Sequence, residues 1–218
     1  MGEVELVSSR QALIIHSEFY FYGEAADPAL SMQIAADIAF HWNQPKASII
    51  IHGQAYQVIF DIQGSYSPDL SSESVWYNVN PRRNYFRVEQ FSFSHISFVD
   101  GIGSNTGYFK LDNLADNSTT AAHEYGHSLG LEHPILLDIR GQGQPGIMYP
   151  RGTICDPAFQ YDHAALPLQP GGTLNPYTRK VLQSDIDDLH LERLRFNRQG
   201  LAVLGEFSSL YHEKHIPA

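Results

Sequence analysis

The stretch His123-Glu124-Tyr125-Gly126-His127-Ser128-Leu129-Gly130-Leu131-Glu132-His133 decides how this chain is interpreted. On a helix, His123 and His127 lie four residues apart, so both imidazoles leave the same face one turn apart. Two nitrogens placed in this way can bind one zinc ion at about 2.0–2.1 Å. Gly130 can adopt a positive φ, so the helix can end there and the chain can turn back with His133. The spacing predicts three histidine ligands and an open fourth position, which is typical of catalytic rather than structural zinc.

Glu124 follows the first predicted ligand and is expected to point toward the open side of the metal. A metal held by three histidines does not need this carboxylate as a ligand. A carboxylate in that place can accept a proton from water and pass it to a leaving group, so we predict Glu124 as a general base. The alternative is that ordinary hydrogen bonds satisfy all four side chains, which gives no structural reason for the joint pattern.

The motif resembles that of the metzincin superfamily of zinc endopeptidases. Gly146-Ile147-Met148-Tyr149-Pro150 looks like the Met-turn, the tight turn beneath the metal that gives this superfamily its name. Residues 122–133 and this turn are most similar to the matrixins. The insert from Ile135 to Pro145 is longer than matrixins usually carry, and the sequence has no second histidine cluster and no glycine loop rich in aspartate. The resemblance therefore indicates a minor, bacterial-type family.

The resemblance implies an α+β zincin (metzincin) fold. A twisted mixed sheet and the motif helix form an upper lobe, above an irregular lower lobe with one C-terminal helix. It also implies a single catalytic domain over residues 1–218, with the upper lobe at about 1–133 and the lower lobe at about 134–218. The length suits one domain, and the 43% hydrophobic content is enough for a core.

Hydrophobic periodicity predicts the elements around the motif. Alternation predicts a strand over 12–22, and apolar residues at fourfold spacing predict a helix from about Pro28 to Asn43. Two strands or one bent strand are expected over 48–62, a loop over 66–84 and an irregular strand over 86–99. A helical spacing predicts one long helix from Thr178 to Asn197. Its acidic residues are interpreted as a solvated helix face rather than a calcium site: Asp185, Asp187 and Asp188.

The motif helix is expected to be capped by Asn117-Ser118 and to end at about Leu129. The triplet Asn117-Ser118-Thr119 also fits a glycosylation acceptor. Its position at the start of a helix favours capping.

The resemblance also implies where a peptide substrate would bind. The strand before the motif helix, residues 106–111, would be the sheet edge that pairs with an extended substrate. The predicted substrate-binding residues there are Gly107, Tyr108 and Phe109. After the Met-turn, the predicted wall of the pocket for the side chain that follows the cut bond consists of Tyr149, Pro150 and Arg151. We expect Arg151 to bias that pocket toward polar or acidic groups. Pro150 stands where astacins and serralysins place a zinc-binding tyrosine, so Tyr149 is not assigned that role.

Composition limits the partners. A formal net charge of −10 argues against nucleic acid, which requires a basic face. No apolar run reaches the length of a membrane span. Cys155 is the only cysteine, so no internal disulfide is possible, and a lone buried or half-exposed thiol is favoured over an inhibitory thiolate on the metal. We expect a monomer. The first residues lack the form of a signal peptide, whereas the resemblance favours a secreted or extracytoplasmic protein, so the compartment stays open.

The function implied by the resemblance is zinc-dependent hydrolysis of peptide bonds in a protein or peptide substrate, with one catalytic Zn²⁺ and Glu124 as the general base. Two alternatives stay open. One is a catalytically silent, zinc-stabilised binding module, against which the presence of Glu124 argues. The other is a toxin-type effector protease with one narrow target.

Overall fold

Strand β2 (Ala12–Tyr22) lies at the centre of an eight-stranded sheet and has the predicted bounds. The structure is a computed structural model that describes residues 1–115 and 118–216. The side chains of β2 alternate between buried and half-buried over most of the strand. This pattern is expected of a strand that packs mainly through one face.

The sheet is mixed and curled. Strands β4 (Gln54–Tyr66) and β5 (Arg83–Glu89) pair in parallel with β2, and β7 (Thr106–Lys110) pairs in parallel with β5. Two antiparallel strands lie at the ends of this row, β3 (Ser48–Ile51) beside β4 and β6 (Phe98–Val99) beside β7. A branch is added by β1 (Gly2–Val7), which pairs antiparallel with the first half of β2, and by β8 (Leu201–Leu204), which pairs with β1. An α+β architecture is thus observed.

The structure shows what two regions predicted as strands form. Residues 48–62 lie in a hairpin of two strands, because His52 and Gly53 have φ of 49° and 82° and form its turn. The expectation of one strand over 86–99 is wrong. β5 ends at Glu89, and only Phe98–Val99 return to the sheet. The intervening segment carries the exposed side chains of Phe93 and Ile96, which explains why the alternation fails there.

Helix α1 (Pro28–Asn43) has the predicted bounds, with the Asp27 carboxylate accepting a hydrogen bond from the Leu30 amide at 2.8 Å. Its buried residues include Ile34, Ile38 and Trp42. A short helix, α2 (Ser72–Trp76), interrupts the region predicted as loop, with Ser71 as its cap.

The motif helix is α3 (Thr120–Ser128). Of the predicted cap, Asn117 lies outside the described residues, and the Ser118 hydroxyl accepts a hydrogen bond from the Thr120 amide at 3.1 Å. The helix is fixed to α1 because the Trp42 indole donates to the Ala122 carbonyl at 2.9 Å. Tyr125 points into the core, where its ring lies 5.7 Å from that of Trp42 and 5.6 Å from that of Phe19. Aromatic packing therefore sets the position of the motif on the sheet.

The region after residue 133 is mostly irregular. The prediction of one long helix from Thr178 to Asn197 is wrong, since only α4 (Gln183–Asp187) and a single 3₁₀ turn, Leu191–Arg193, are helical. His190 adopts a left-handed conformation with φ of 49°, which ends the helical path. Of the apolar residues that produced the helical spacing, Val181, Ile186 and Leu189 are nevertheless buried, and Leu182 and Leu194 are half-buried. Their spacing thus reports burial and not a helix.

The chain returns to the sheet through β8, so the region predicted as a lower lobe also contributes a strand to the upper one. None of the helices in the described part of the chain is long and apolar enough to cross a membrane.

Candidate metal centre

The end of α3 brings the third histidine back toward the first two. Gly130 has φ of +107°, the Leu131 amide donates to the Gly126 carbonyl at 3.0 Å, and the Gly130 amide donates to the His127 carbonyl at 3.0 Å. This pair of bonds is the Schellman arrangement, which satisfies the last carbonyls of a helix and reverses the chain. The predicted role of Gly130 is confirmed, and the helix ends one residue before the expected position.

Three imidazoles converge beyond this turn. The Nε2 atom of His133 lies 3.0 Å from Nε2 of His123 and 3.1 Å from Nε2 of His127. Nitrogens bound to one tetrahedral ion at 2.0–2.1 Å would lie about 3.3 Å apart. His123 and His127 are buried and His133 is exposed, so the cluster opens to solvent on one side. The three histidines could therefore hold a metal ion.

The second nitrogen of each helical histidine is held by a backbone carbonyl. Nδ1 of His123 donates to the Ile147 carbonyl at 2.8 Å, and Nδ1 of His127 donates to the Leu131 carbonyl at 2.7 Å. A carbonyl can only accept, so the proton lies on Nδ1 and the lone pair on Nε2 faces the cluster. The His127 bond fixes the tautomer that a metal ion requires, and the Ile147 carbonyl favours the same tautomer of His123, whose Nδ1 also lies 3.0 Å from Nη1 of Arg179.

The surroundings also favour neutral rings. Burial and then the nearby Arg179 cation lower the pKa of His123 well below its ordinary value. Burial is likewise the main reason that the pKa values of His127 and His133 are lowered. Neutral imidazole is the form that binds metals.

Glu124 lies beside the cluster with 8% of its surface exposed. Its carboxylate accepts a hydrogen bond from the Val99 amide of β6, and the Arg179 charge also favours its ionised form. Burial is the larger effect and raises the pKa of Glu124 to about 8. A dication held by the histidines would act in the opposite direction, since a nearby positive charge stabilises the carboxylate.

The Met148 turn, residues 146–150, packs directly beneath the cluster. The Ile147 carbonyl holds His123, and Met148 is buried against α3. Gly126 makes this approach possible, because a Cβ at that position would overlap the Met148 sulfur and would lie 3.3 Å from the Trp42 ring. The predicted place of Met148 under the histidines therefore matches the packing.

Asp185 anchors this turn from the other side. Its carboxylate accepts hydrogen bonds from the Leu182 amide at 2.7 Å and the Ile147 amide at 3.4 Å. The prediction of a solvated Asp185 is wrong, because the side chain is buried and burial raises its pKa to about 6. Asp187 and Asp188 are exposed as expected. Its bond to Leu182 is a local cap of α4, whereas Ile147 precedes Asp185 by 38 residues, so no local spacing predicts the anchor to the turn.

Arg179 is a second residue that sequence reasoning missed. Its guanidinium donates to the Thr119 hydroxyl at 2.8 and 3.1 Å, to the Tyr149 carbonyl at 3.0 Å and to the Pro176 carbonyl at 3.3 Å. The Nη1 atom also lies 3.0 Å from Nδ1 of His123. A lone arginine far along the chain gives no sequence signal of this kind.

A cavity of about 620 Å³ opens over the histidines. The described residues that line it come from β6 and its flanks, from α3, from the chain after Met148 and from position 179. They are Ile96, Ser97, Phe98, Val99, Gly101, Ile102, Asn113, Thr120, His123, Glu124, His127, His133, Pro150, Arg151, Gly152 and Arg179.

The predicted substrate-binding residues occupy different places in the structure. Gly107, Tyr108 and Phe109 are buried and lie in β7, which is paired with β5 on one side and β6 on the other. The prediction that this strand is the sheet edge is wrong, and β6 takes that place. The short β6 escaped detection because only Phe98–Val99 form it.

The three residues predicted as the wall of a substrate pocket lie in two different places. Pro150 and Arg151 line the cavity. Tyr149 instead packs its ring against the small cluster of Ile139, Cys155 and Leu174, and only its carbonyl faces Arg179. Cys155 is buried in that cluster, in agreement with the favoured interpretation of its thiol.

The chain matches no known protein-family profile, and it matches no curated protein sequence. The side chains around the cluster thus carry what can be said of its chemistry. Three imidazoles suit zinc and also copper, iron and nickel, so the donor set indicates a metal ion without selecting the element.

Proposed function

We propose that this protein is a zinc-dependent endopeptidase of metzincin type, most similar to the matrixins. One observation carries the proposal: the Nε2 atoms of His123, His127 and His133 converge in a cavity that Glu124 also lines. A histidine cluster that served only to stabilise the fold would need neither an open side nor a carboxylate at its rim.

The residues suit zinc. Zinc accepts imidazole nitrogens in a tetrahedral arrangement, and three protein ligands leave one position for a reactant. When bound, the ion supplies a Lewis acid that makes water more acidic and polarises a carbonyl. The carbonyls of Ile147 and Leu131 orient two of the ligands and increase their basicity.

Glu124 moves the protons of the reaction. As a carboxylate it accepts one proton from the attacking water while the water oxygen bonds to the peptide carbonyl carbon. It then delivers that proton to the amide nitrogen as the C–N bond breaks, and the products are a carboxylic acid and an amine. The hydrogen bond from the Val99 amide favours the ionised carboxylate that this role requires.

The substrate backbone lies along β6 in this proposal. β6 is the sheet edge, and residues 96–99 line the cavity. An exposed edge offers unpaired backbone groups to an extended peptide, which adds as a further strand. The residue after the cut bond then faces the chain beyond Met148, where Pro150 and Arg151 form the wall.

A peptide-library digest tests the proposal. We expect the purified, zinc-loaded protein to cleave internal peptide bonds, and we expect a chelator to abolish the cleavage. Glu124→Ala should reduce kcat by roughly 10²–10⁴-fold, the range for loss of a general base, while zinc stays bound at one ion per chain. The matched control is Glu132→Ala, an exposed carboxylate in the same motif, which should retain activity.

Two results contradict the proposal. Cleavage that persists in Glu124→Ala would show another mechanism or a contaminant. Zinc bound by the three histidines with no cleavage of any library would favour the silent binding module or a protease with a single target. A digest of candidate folded proteins separates those two.

A further inference from the structure

Arg179 is a buried cation in the wall of the cavity. Only 5% of its surface is exposed, although it lines the same cavity as the three histidines. Every acceptor that it contacts is neutral: the Thr119 hydroxyl and the carbonyls of Tyr149 and Pro176. Burial of a guanidinium is costly when no opposite charge compensates it.

No carboxylate of the described residues forms an ion pair with Arg179 within 4.0 Å. Glu124 interacts with it only through its longer-range charge. Burial consequently lowers the pKa of Arg179 to about 10, which still leaves the group charged at neutral pH. The cavity thus contains a desolvated positive charge whose partner is not provided by these residues.

The other charged residues of the cavity also favour an anionic ligand. Arg151 lines it as well, at a solvent-exposed position. Glu124 is the one carboxylate among the described lining residues, and it is already held by the Val99 amide. This local excess of positive charge contrasts with the net charge of −10 for the whole chain. An anion is therefore the ligand that this part of the cavity favours.

The place of Arg179 indicates which part of a substrate it meets. Its guanidinium bridges the residue before α3, Thr119, and the Met148 turn at Tyr149, on the Nδ1 side of His123. Tyr149 precedes Pro150 in the chain, Pro150 and Arg151 line the cavity, and the charge of Arg151 acts on Arg179.

We propose that Arg179 binds a substrate carboxylate at the position that follows the cut bond. The inference rests on the proposed peptidase function. The carboxylate has two sources, an Asp or Glu side chain or the free C-terminus of a substrate cut one residue from its end. A planar guanidinium recognises either one through charge-assisted hydrogen bonds.

The competing explanation is that Arg179 only ties the Met148 turn to α3. A structural role of that kind affects all substrates alike. A binding role changes the ratio of kcat/KM between a charged substrate and its neutral isostere. Effects on folding, on metal content and on Glu124 change both values equally, so they cancel in this ratio.

The experiment uses three matched peptides that differ after the cut bond: one with Glu, one with Gln, and one with Gln as a free C-terminal residue. For the zinc-loaded wild type we expect kcat/KM at least about 10-fold higher for a carboxylate peptide than for internal Gln, as charge-assisted bonds in a buried site provide. Whichever carboxylate peptide is preferred identifies the source. Equal rates for all three overturn the inference.

Variants assign the preference to a residue. Arg179→Gln should reduce the Glu-to-Gln ratio to near 1, and Arg179→Lys should retain part of it because the charge remains. Arg151→Gln removes the exposed positive charge of the same wall, and it should reduce the ratio less than Arg179→Gln does because solvent screens that position. A ratio abolished by Arg151→Gln and unchanged by Arg179→Gln refutes the assignment. If Arg179→Gln does not fold, the wild-type ratio and Arg179→Lys still decide.

A second readout does not depend on turnover. The same peptides are titrated by calorimetry into zinc-loaded Glu124→Ala and into the Glu124→Ala, Arg179→Gln double variant. We expect the carboxylate preference to be present in the first and absent in the second. Preferential binding without cleavage by the wild type would support carboxylate binding by Arg179 and refute the proposed peptidase function. Cleavage without any preference for a carboxylate would support the proposed function and refute the inference about Arg179.

Discussion

Gly126 determines how closely the Met148 turn can approach the histidines. The residue lies inside α3 between two candidate ligands, where a helix would ordinarily gain from alanine by up to about 1 kcal/mol. Here the space for a methyl group is filled by the Met148 side chain, whose Cε would lie 3.2 Å away. A helix-weakening residue is thus explained by packing beneath the histidine cluster.

Gly126→Ala is expected to destabilise the protein by about 1–2 kcal/mol, because overpacking of a buried site exceeds the gain in helix propensity. In a Met148→Ala background the same change should become neutral or stabilising, since the overlapping sulfur is gone. Denaturant unfolding of the wild type, the two single variants and the double variant measures this double-mutant cycle. Gly152→Ala, where no heavy atom lies within 4 Å of the added Cβ, should be nearly neutral. A loss of equal size in both Met148 backgrounds would contradict the packing argument.

Asp185 should make stability depend on pH. Burial raises its pKa to about 6 in the folded state from an ordinary value of 3.8. Below pH about 4 both states hold the proton, so folding is not penalised. Between about pH 4 and 6 the unfolded state releases its proton first, and the free energy of unfolding falls with rising pH by on the order of 3 kcal/mol.

Asp185→Asn removes this dependence. Asn is neutral at all these pH values, so the stability of the variant relative to wild type should increase by on the order of 2–3 kcal/mol between pH 4 and 7. Chemical unfolding in the presence of chelator, at several pH values, measures the difference. Asp69→Asn removes an exposed carboxylate and serves as the control. A difference that stays flat for Asp185→Asn would show that the carboxyl is ionised throughout.

At the scale of elements, the Schellman turn after α3 connects backbone conformation to the metal site. Gly130 has open space around its missing Cβ, so its only constraint is φ of +107°. Side chains rarely adopt that angle. The strain of any other residue there is transmitted to His133, three positions further along the chain.

Gly130→Ala should therefore cost about 1–2 kcal/mol of stability and weaken zinc binding, because the chain relaxes away from the strained angle. Gly101→Ala offers a matched control with equally open space and no positive φ. Thermal unfolding and competition with a zinc chelator provide the two measurements. Unchanged zinc affinity in Gly130→Ala would separate the turn from the position of His133.

The elements differ in how far sequence reveals them. β2 and α1 have their predicted bounds because each is long and has one apolar face in a regular period. The prediction of a long late helix was wrong although most of its apolar residues are buried. An irregular chain can also bury residues that happen to lie at a helical spacing. β6 is too short to show a period, yet it forms the sheet edge beside the cavity.

At the scale of the molecule, a bound metal is coupled to folding. The ligand atoms come together only in the folded chain, so zinc should raise the unfolding temperature in a concentration-dependent way. The stabilisation is about 2.7 kcal/mol at a free zinc concentration 100 times the dissociation constant. Calorimetric scans with chelator and with increasing zinc measure this shift.

His133→Ala should abolish the zinc-dependent shift and leave the metal-free protein close to wild type in stability, since His133 is exposed. His163→Ala, also an exposed histidine, should retain the full shift. A shift that survives in His133→Ala would place the metal elsewhere.

Sequence also predicts only part of the candidate site, namely the residues that lie close together in the chain. The three histidines and Glu124 were predictable because one helix and its exit hold them all. The groups that orient and charge the site are Ile147, Arg179, Asp185 and Val99, and they reach it through the tertiary fold. The Met-turn pattern predicted the turn that contains Ile147, but no spacing rule in the sequence links Arg179, Asp185 or Val99 to the histidines.

This local grouping of the ligands has a consequence for biosynthesis. When the chain has emerged from the ribosome only as far as His133, every imidazole of the cluster is outside, whereas Met148, Arg179 and Asp185 have not yet emerged. Metal capture by the nascent chain can then precede the docking of the segment that orients the rings. An ion taken up at this stage would be exchangeable, and the later residues would convert it into a firmly retained one.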